Sequence, residues 1–173
     1  MEAIYIFIFI VFLAAFAHEL GHLILLSIFG FRVRIRITPA GIVIKKEGGI
    51  VFYLADLLIF LSGPLVNLIC FLAFREAHSD ILSIFSSVSL ALALTNLIPI
   101  KGLDGYEILF SLCALFSGSR ASLYLAEVVS LVFTASAFVL SLVLLLSSEA
   151  NISFFVLYSW LFYNNYLKKQ KNS

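Results

Sequence analysis

Long uninterrupted apolar runs constrain this chain more than any other feature. They extend over about residues 4–29, 54–74, 81–100, 121–146 and 152–167. Of the 173 residues, 62% are apolar and only 12% are charged, which is too little charge for a water-soluble domain of this length. A segment that is apolar on every side is typical of a membrane span. We therefore predict an integral membrane protein.

The predicted fold class is an all-α polytopic membrane protein with about five transmembrane helices, one for each apolar run. Between the first two runs, Phe31–Ile37 alternates arginine with apolar residues, which indicates a β-strand. Thr38–Gly41 indicates a turn, and Ile42–Ile44 and Ile50–Tyr53 are further strand candidates. We expect a small β-hairpin or sheet at the membrane surface between the first two spans.

The basic residues fall almost entirely on one side of the predicted bundle. Of the eleven lysines and arginines, all except Arg75 lie on the side that holds the loop after the first span and the C-terminus. Cytoplasmic loops are enriched in such residues, so the N-terminus is predicted outside and the C-terminus in the cytoplasm. The net charge of +1 gives no reason to expect a nucleic-acid partner.

Three ionisable side chains, His18, Glu19 and His22, lie within five residues of the first apolar run. Ionisable groups are costly in hydrocarbon and usually serve a function there. Histidines four residues apart share one face of a helix. This is the spacing for two imidazoles on one zinc ion, with Glu19 placed as general base toward an activated water. The alternative is interhelical packing of the histidines with Glu19 paired to a buried partner, but the complete pattern favours zinc.

A catalytic zinc ion needs a third protein ligand. Asp104 is the best candidate, because it follows the third apolar run at the same predicted end of the bundle as His22 and has glycines nearby. Its alternative role is a helix N-cap. His78 lies in the predicted outer loop, and Glu127 lies in the fourth run, so both are weaker candidates.

Two asparagines, Asn67 and Asn96, lie in apolar runs and must find hydrogen-bond partners inside the bilayer. They either bond between helices or act at the catalytic site. For Asn67 we expect a catalytic role, as a donor to the substrate backbone or to the oxyanion.

Together these segments resemble the site-2 protease family of intramembrane metalloproteases. The resemblance is carried by the motifs HELGH at residues 18–22, Gly-Pro-x-x-Asn at 63–67, and Asn-x-x-Pro followed by Leu-Asp-Gly at 96–105. It covers about residues 8–116 and is greatest with the short bacterial branch that includes stage IV sporulation protein FB. The sequence departs from the family pattern at Gly102, Tyr106 and Glu107.

The resemblance implies one zinc ion per chain, held by His18, His22 and Asp104, with Glu19 as catalytic base. It implies hydrolysis of peptide bonds in or near transmembrane segments of membrane-associated substrates, with pro-sigma-factor processing in sporulation as one such role. We expect a single integral-membrane domain at 1–173, with a catalytic core at about 8–116, additional helices at about 121–167 and no separate soluble regulatory domain.

Two other functions fit part of the pattern. A catalytically silent relative would bind a membrane partner, but it would not need Glu19. A metal transporter would need several ligand sets along a path, whereas one set converges here.

The expected partners are the lipid bilayer and a membrane-tethered protein substrate, and a regulatory membrane partner is also compatible. We expect a multi-pass protein of a bacterial cell membrane with its active site toward the cytoplasm; the sequence leaves its oligomeric state open.

Overall fold

The computed structural model describes residues 2–38, 41–47, 52–146 and 152–167. The elements in these ranges are α1 (Glu2–Ile28), β1 (Arg32–Thr38), β2 (Gly41–Glu47), α2 (Tyr53–Phe74), α3 (Asp80–Asn96), α4 (Asp104–Ser117), α5 (Ser119–Leu146) and α6 (Ile152–Phe162), which continues into a π-helix (Tyr163–Leu167). The strands β1 and β2 pair antiparallel, from Arg32 opposite Glu47 to Thr38 opposite Gly41.

Gly30 ends α1, as the sequence predicts. Its φ is +70°, a conformation that glycine adopts without steric cost. The Gly30 N–H donates to the carbonyl of Ser27 and the Phe31 N–H to the carbonyl of Leu26, both at 3.0 Å. These two bonds are those of a Schellman motif, which satisfies the last carbonyls of the helix and turns the chain toward β1.

Helix α2 occupies the centre of the bundle and packs against α1, α3 and α4. Its approach to α1 is close because of Gly21: a Cβ there would lie 2.7 Å from the carbonyl oxygen of Ser62. Small residues at helix contacts permit such an approach in membrane proteins. Helix α5 packs against both α4 and α6. The central helix therefore contacts both α1, which carries His18 and His22, and α4, which carries Asp104.

The helices α3 and α4 run in the same direction and are separated by a break at residues 97–103. Asp104, at the start of α4, lies beside histidines that pack on Gly63 in the middle of α2. Phe110, further along α4, contacts the ring of Tyr53 at the start of α2, with centroids 6.1 Å apart. Helix α4 therefore runs antiparallel to α2, as α3 does. Irregular backbone at membrane depth is tolerated where it is buried in protein or lines a cavity.

The structure corrects the predicted fold class in its number of spans. In the part of the chain that is described, three helices are long and apolar enough to cross a membrane: Glu2–Ile28, Tyr53–Phe74 and Ser119–Leu145. The third predicted span ends early, because the chain leaves the helix before Pro99, and α3 has 17 residues. The fifth contains an α-helix of 11 residues. The prediction of about five spans was wrong because continuous apolarity does not reveal breaks in a helix.

The predicted membrane-surface sheet is corrected as well. Ile50 and Val51, from the predicted third strand, lie outside the described residues, and Tyr53 is the first residue of α2. Within the described residues, β1 and β2 form a two-stranded hairpin between α1 and α2, and Tyr53 of the third strand candidate belongs to α2. The error has a local cause, because the apolar residues that suggested a strand at Phe52 and Tyr53 continue directly into the apolar sequence of α2.

Candidate metal centre

Helix α1 presents His18 and His22 toward α2. Both residues are buried, with 6% and 8% of their surface exposed. Their Nε2 atoms lie 3.2 Å apart, because residues four apart stand one above the other on a helix. Glu19 follows His18 directly and is half-buried. Its side chain is turned by about 100° around the helix axis from that of His18, so it flanks the histidine pair.

Helix α4 brings Asp104 to the two histidines. Its Oδ2 atom lies 2.9 Å from Nε2 of His18 and 3.3 Å from Nε2 of His22. Ligand atoms at about 2.0 Å from a tetrahedral zinc ion are separated from one another by about 3.3 Å. The three atoms thus have the mutual spacing of three zinc ligands. Within the described residues, these three side chains form a group that could hold a metal ion.

The hydrogen bonding of Asp104 also fits a cation site. Among the described residues, its buried Oδ2 atom has no hydrogen-bond partner of good geometry, although both imidazole nitrogens are near. Buried carboxylate oxygens are normally paired, hydrogen-bonded or bound to a metal. The convergence of two imidazoles and one carboxylate oxygen on one point is the donor set of a catalytic zinc site.

Helix α2 supplies the groups that orient His22. The Nδ1 atom of His22 lies 2.8 Å from the backbone carbonyl of Ile59, to which it donates when it carries the proton. The Nε2 lone pair then faces Asp104, as metal binding requires. The sequence does not reveal this contribution of Ile59, because a backbone acceptor leaves no signature in residue type.

Asn67 lies two helical turns beyond Ile59 on the same face of α2 and is fully buried. Its amide nitrogen is 3.3 Å from Nδ1 of His18, while its Oδ1 atom has no partner among the described residues. Rotating the amide by 180° exchanges its nitrogen and oxygen positions. In that orientation the Nδ1–H of His18 donates to Oδ1, and the Nε2 lone pair of His18 faces Asp104.

Gly63 lies midway between these two contacts and explains the Gly-Pro-x-x-Asn motif. A Cβ at this position would lie 2.7 Å from Cε1 of His22 and 2.8 Å from Cε1 of His18. Carbon atoms in contact are normally about 3.5–4.0 Å apart. A side chain here would therefore displace both imidazoles, and glycine is the residue that lets α2 cover them.

The other candidate residues make different contacts among the described residues. The side-chain amide of Asn96 donates to the carbonyl of Leu92 in its own helix, at 3.0 Å. His78 is exposed, and Glu127 pairs with Lys101 at 3.2 Å. The alternative N-cap role of Asp104 is not observed: Leu103 is the N-cap of α4, and Asp104 is already helical.

Part of the sequence, and the fold that positions these residues, resemble known proteins. Residues 72–140, which include Asp104, match the sequence model of Peptidase family M50. Over these residues the chain is similar to a family of peptidases. The long apolar helices fit a membrane protein. The HELGH segment lies outside the matched residues and reaches Asp104 through the packing of α1, α2 and α4.

A solved structure gives the same picture of the fold. The site-2 protease from Methanocaldococcus jannaschii is similar with a TM-score of 0.69 and 24% sequence identity, over 92% of this chain and 76% of that chain. No curated protein matches the chain. Neither the family match nor the structural match names the sporulation branch, so that subtype stays a prediction.

Proposed function

We propose that this site-2 protease homologue is an intramembrane zinc endopeptidase whose metal is held by His18, His22 and Asp104. One observation carries the proposal: three ligand atoms from two helices lie 2.9–3.3 Å apart at the break between α3 and α4. When bound, zinc would supply Lewis acidity toward a water molecule and the scissile carbonyl.

Glu19 is the proposed general base. It accepts the proton of the attacking water and then donates it to the leaving amine. Its position supports this role, because it adjoins His18 in the same turn yet is not a member of the group that could hold a metal. A carboxylate that flanks the metal site keeps its lone pairs for proton transfer.

For Asn67 we propose a positioning role in place of direct contact with the substrate. Its amide is buried behind His18, against the Nδ1 atom that faces away from Asp104. An oxygen acceptor at that nitrogen fixes the tautomer and the ring orientation of a metal-binding histidine. This explains why an amide is buried in an otherwise apolar helix.

The proposed substrate is a membrane-embedded or membrane-tethered polypeptide. The outer surface of the bundle is apolar, and the site lies within it: His22 is about 9 Å from the C-terminal end of α1. The arginine-rich strand β1 follows at that end. Because basic residues favour the cytoplasmic side, we propose that the site faces the cytoplasm.

Cleavage of a reporter with one transmembrane segment, together with measurement of bound zinc, tests the proposal. Glu19→Gln should retain zinc and lose about a thousandfold in rate, within the usual contribution of a general base. Glu2→Gln removes an exposed carboxylate at the other end of α1 and should cleave as wild type does. Wild-type cleavage by Glu19→Gln, or full activity of a zinc-free protein, would contradict the proposal.

A further inference from the structure

The turn that leads into Asp104 has a defined geometry. The Leu103 N–H donates to the carbonyl of Ile100 at 2.9 Å, and Gly102 has a φ of +104°. This hydrogen bond and the positive φ at the third position are those of a type II β-turn. The orientation of the central peptide, between Lys101 and Gly102, distinguishes such a turn from type I. That peptide therefore determines where the chain enters α4.

Both main-chain groups of Lys101 bond to side chains from the C-terminal part of the protein. Its N–H donates to Oγ of Ser130 in α5 at 2.8 Å. Its carbonyl, which belongs to the central peptide, accepts from the amide of Asn165 in the π-helix at 2.7 Å. The hydroxyl of Tyr166 lies 2.8 Å from the same Ser130 Oγ. The π-helix and α5 thus hold the two ends of one residue in the turn.

The centre of this network is buried and further braced. Ser130 is fully buried, and Thr134, one helical turn later, donates to the Ser130 carbonyl at 2.7 Å. The Lys101 side chain pairs with Glu127, but both groups are about one-third exposed, so that pair contributes little. The buried hydrogen bonds to the Lys101 backbone therefore carry the restraint.

We propose that Asn165, Tyr166 and Ser130 are positioning residues for the third metal ligand. By fixing the central peptide of the turn they hold Asp104 at the two histidines, which gives the last helices a role in the metal site. The inference rests on the proposed function of that site. A π-helix inserts an irregular turn into a helix and is frequent at functional sites. Here it carries Asn165 and Tyr166 to the turn and to Ser130.

Single-group deletions in the full-length protein test this inference. Tyr166→Phe removes one hydroxyl, and Asn165→Leu removes the donor to Lys101. Tyr163→Phe is the matched control, because Tyr163 lies in the same π-helix with 52% of its surface exposed. The measurements are the zinc dissociation constant, by competition with a chromophoric chelator, the visible spectrum of the Co²⁺-substituted protein, and thermal unfolding of the zinc-free protein in detergent.

We expect about tenfold weaker zinc binding in Tyr166→Phe and Asn165→Leu, the lower end of the effect of groups behind metal ligands. The Co²⁺ spectrum should change in both, and the control should stay within twofold of wild type. The double variant Tyr166→Phe/Ser130→Ala should lose less than the sum of its single variants, because both residues act through one contact.

The measurements distinguish failure of this inference from failure of the proposed metal site. Wild-type zinc affinity and Co²⁺ spectra in the variants, with a lowered unfolding temperature, would show that the network only joins helices, and would overturn this inference alone. A wild-type protein that binds no zinc would overturn the metal site itself and this inference with it. If Asn165→Leu does not fold, Tyr166→Phe decides, because it removes a single oxygen atom.

Discussion

Replacement of Gly63 by alanine tests how closely α2 covers the metal centre. The added methyl group would meet Cε1 of His22 at 2.7 Å and Cε1 of His18 at 2.8 Å. Since carbon atoms pack at about 3.5 Å or more, the rings must move by about 0.7 Å. Zinc–ligand distances vary by only about 0.2 Å. The substitution should therefore disturb metal binding before it disturbs the helix.

The magnitude follows from these displacements. A misplacement of about 1 Å at a functional site can cost about a hundredfold, so we expect zinc binding to weaken by about that factor, or about 2.8 kcal/mol. Alanine also raises the helix propensity at this position by about 1 kcal/mol. This gain offsets part of the strain in the zinc-free protein, so its stability should change less than its zinc affinity.

Chelator competition and thermal unfolding of the zinc-free protein separate the two effects. Gly118→Ala is the control, because Gly118 has a φ of +74° and a Cβ there meets nothing within 4 Å. It should lower stability by about 1–3 kcal/mol through backbone strain, because its φ and ψ of 74° and 163° suit glycine alone, and leave zinc affinity unchanged. If folded Gly63→Ala binds zinc within twofold of wild type, the proposed cover of the histidines by α2 is refuted.

Four further outcomes follow from the same structure. Asn67→Leu should weaken zinc binding about 10–100-fold, whereas Asn67→Asp should retain most of it, because a carboxylate oxygen still accepts from His18; equal losses measured by chelator competition would contradict the role of Asn67. Gly102→Ala should destabilise the protein by about 1–2 kcal/mol because of the φ of +104°, and unchanged thermal unfolding would contradict that. Gly105→Ala should be more damaging, because its Cβ would overlap the backbone carbonyls of Leu97 and Ile98; the comparison is the yield of folded protein. A chelator should stop cleavage, and cleavage that survives chelation would contradict a metal mechanism. Zinc added back at a hundred times its dissociation constant should restore activity and stabilise the protein by about 2.7 kcal/mol.

The sequence is enough to select the three candidate metal ligands, but it reveals few of the groups that orient them. Residue types and a four-residue spacing are enough to select His18 and His22, and Asp104 stands out because it follows the third apolar run and has glycines nearby. The structure brings these three together. The backbone carbonyl of Ile59 has no residue-type signature, and Asn67 suggested contact with the substrate because the sequence does not show which atom its amide faces.

Helix boundaries were predictable where a local signal exists. Gly30 marks the end of α1 because only a residue that tolerates positive φ fits there. The break between α3 and α4 lies in sequence that is apolar on both sides, so hydropathy joined Leu97–Ile100 to the preceding helix. The bonds from Ser130 and Asn165 to Lys101 depend on long-range packing of the C-terminal helices, which no local pattern encodes.

X-ray absorption at the zinc edge tests the central claim most directly. The purified protein should contain one zinc ion per chain, with two imidazole nitrogens at about 2.0–2.1 Å and oxygen ligands at about 2.0–2.2 Å. Asp104→Ala should lose an oxygen ligand and bind zinc more weakly, while the two imidazoles persist. A spectrum with sulfur ligands, or a spectrum of Asp104→Ala that is the same as that of wild type, would contradict a centre built from His18, His22 and Asp104.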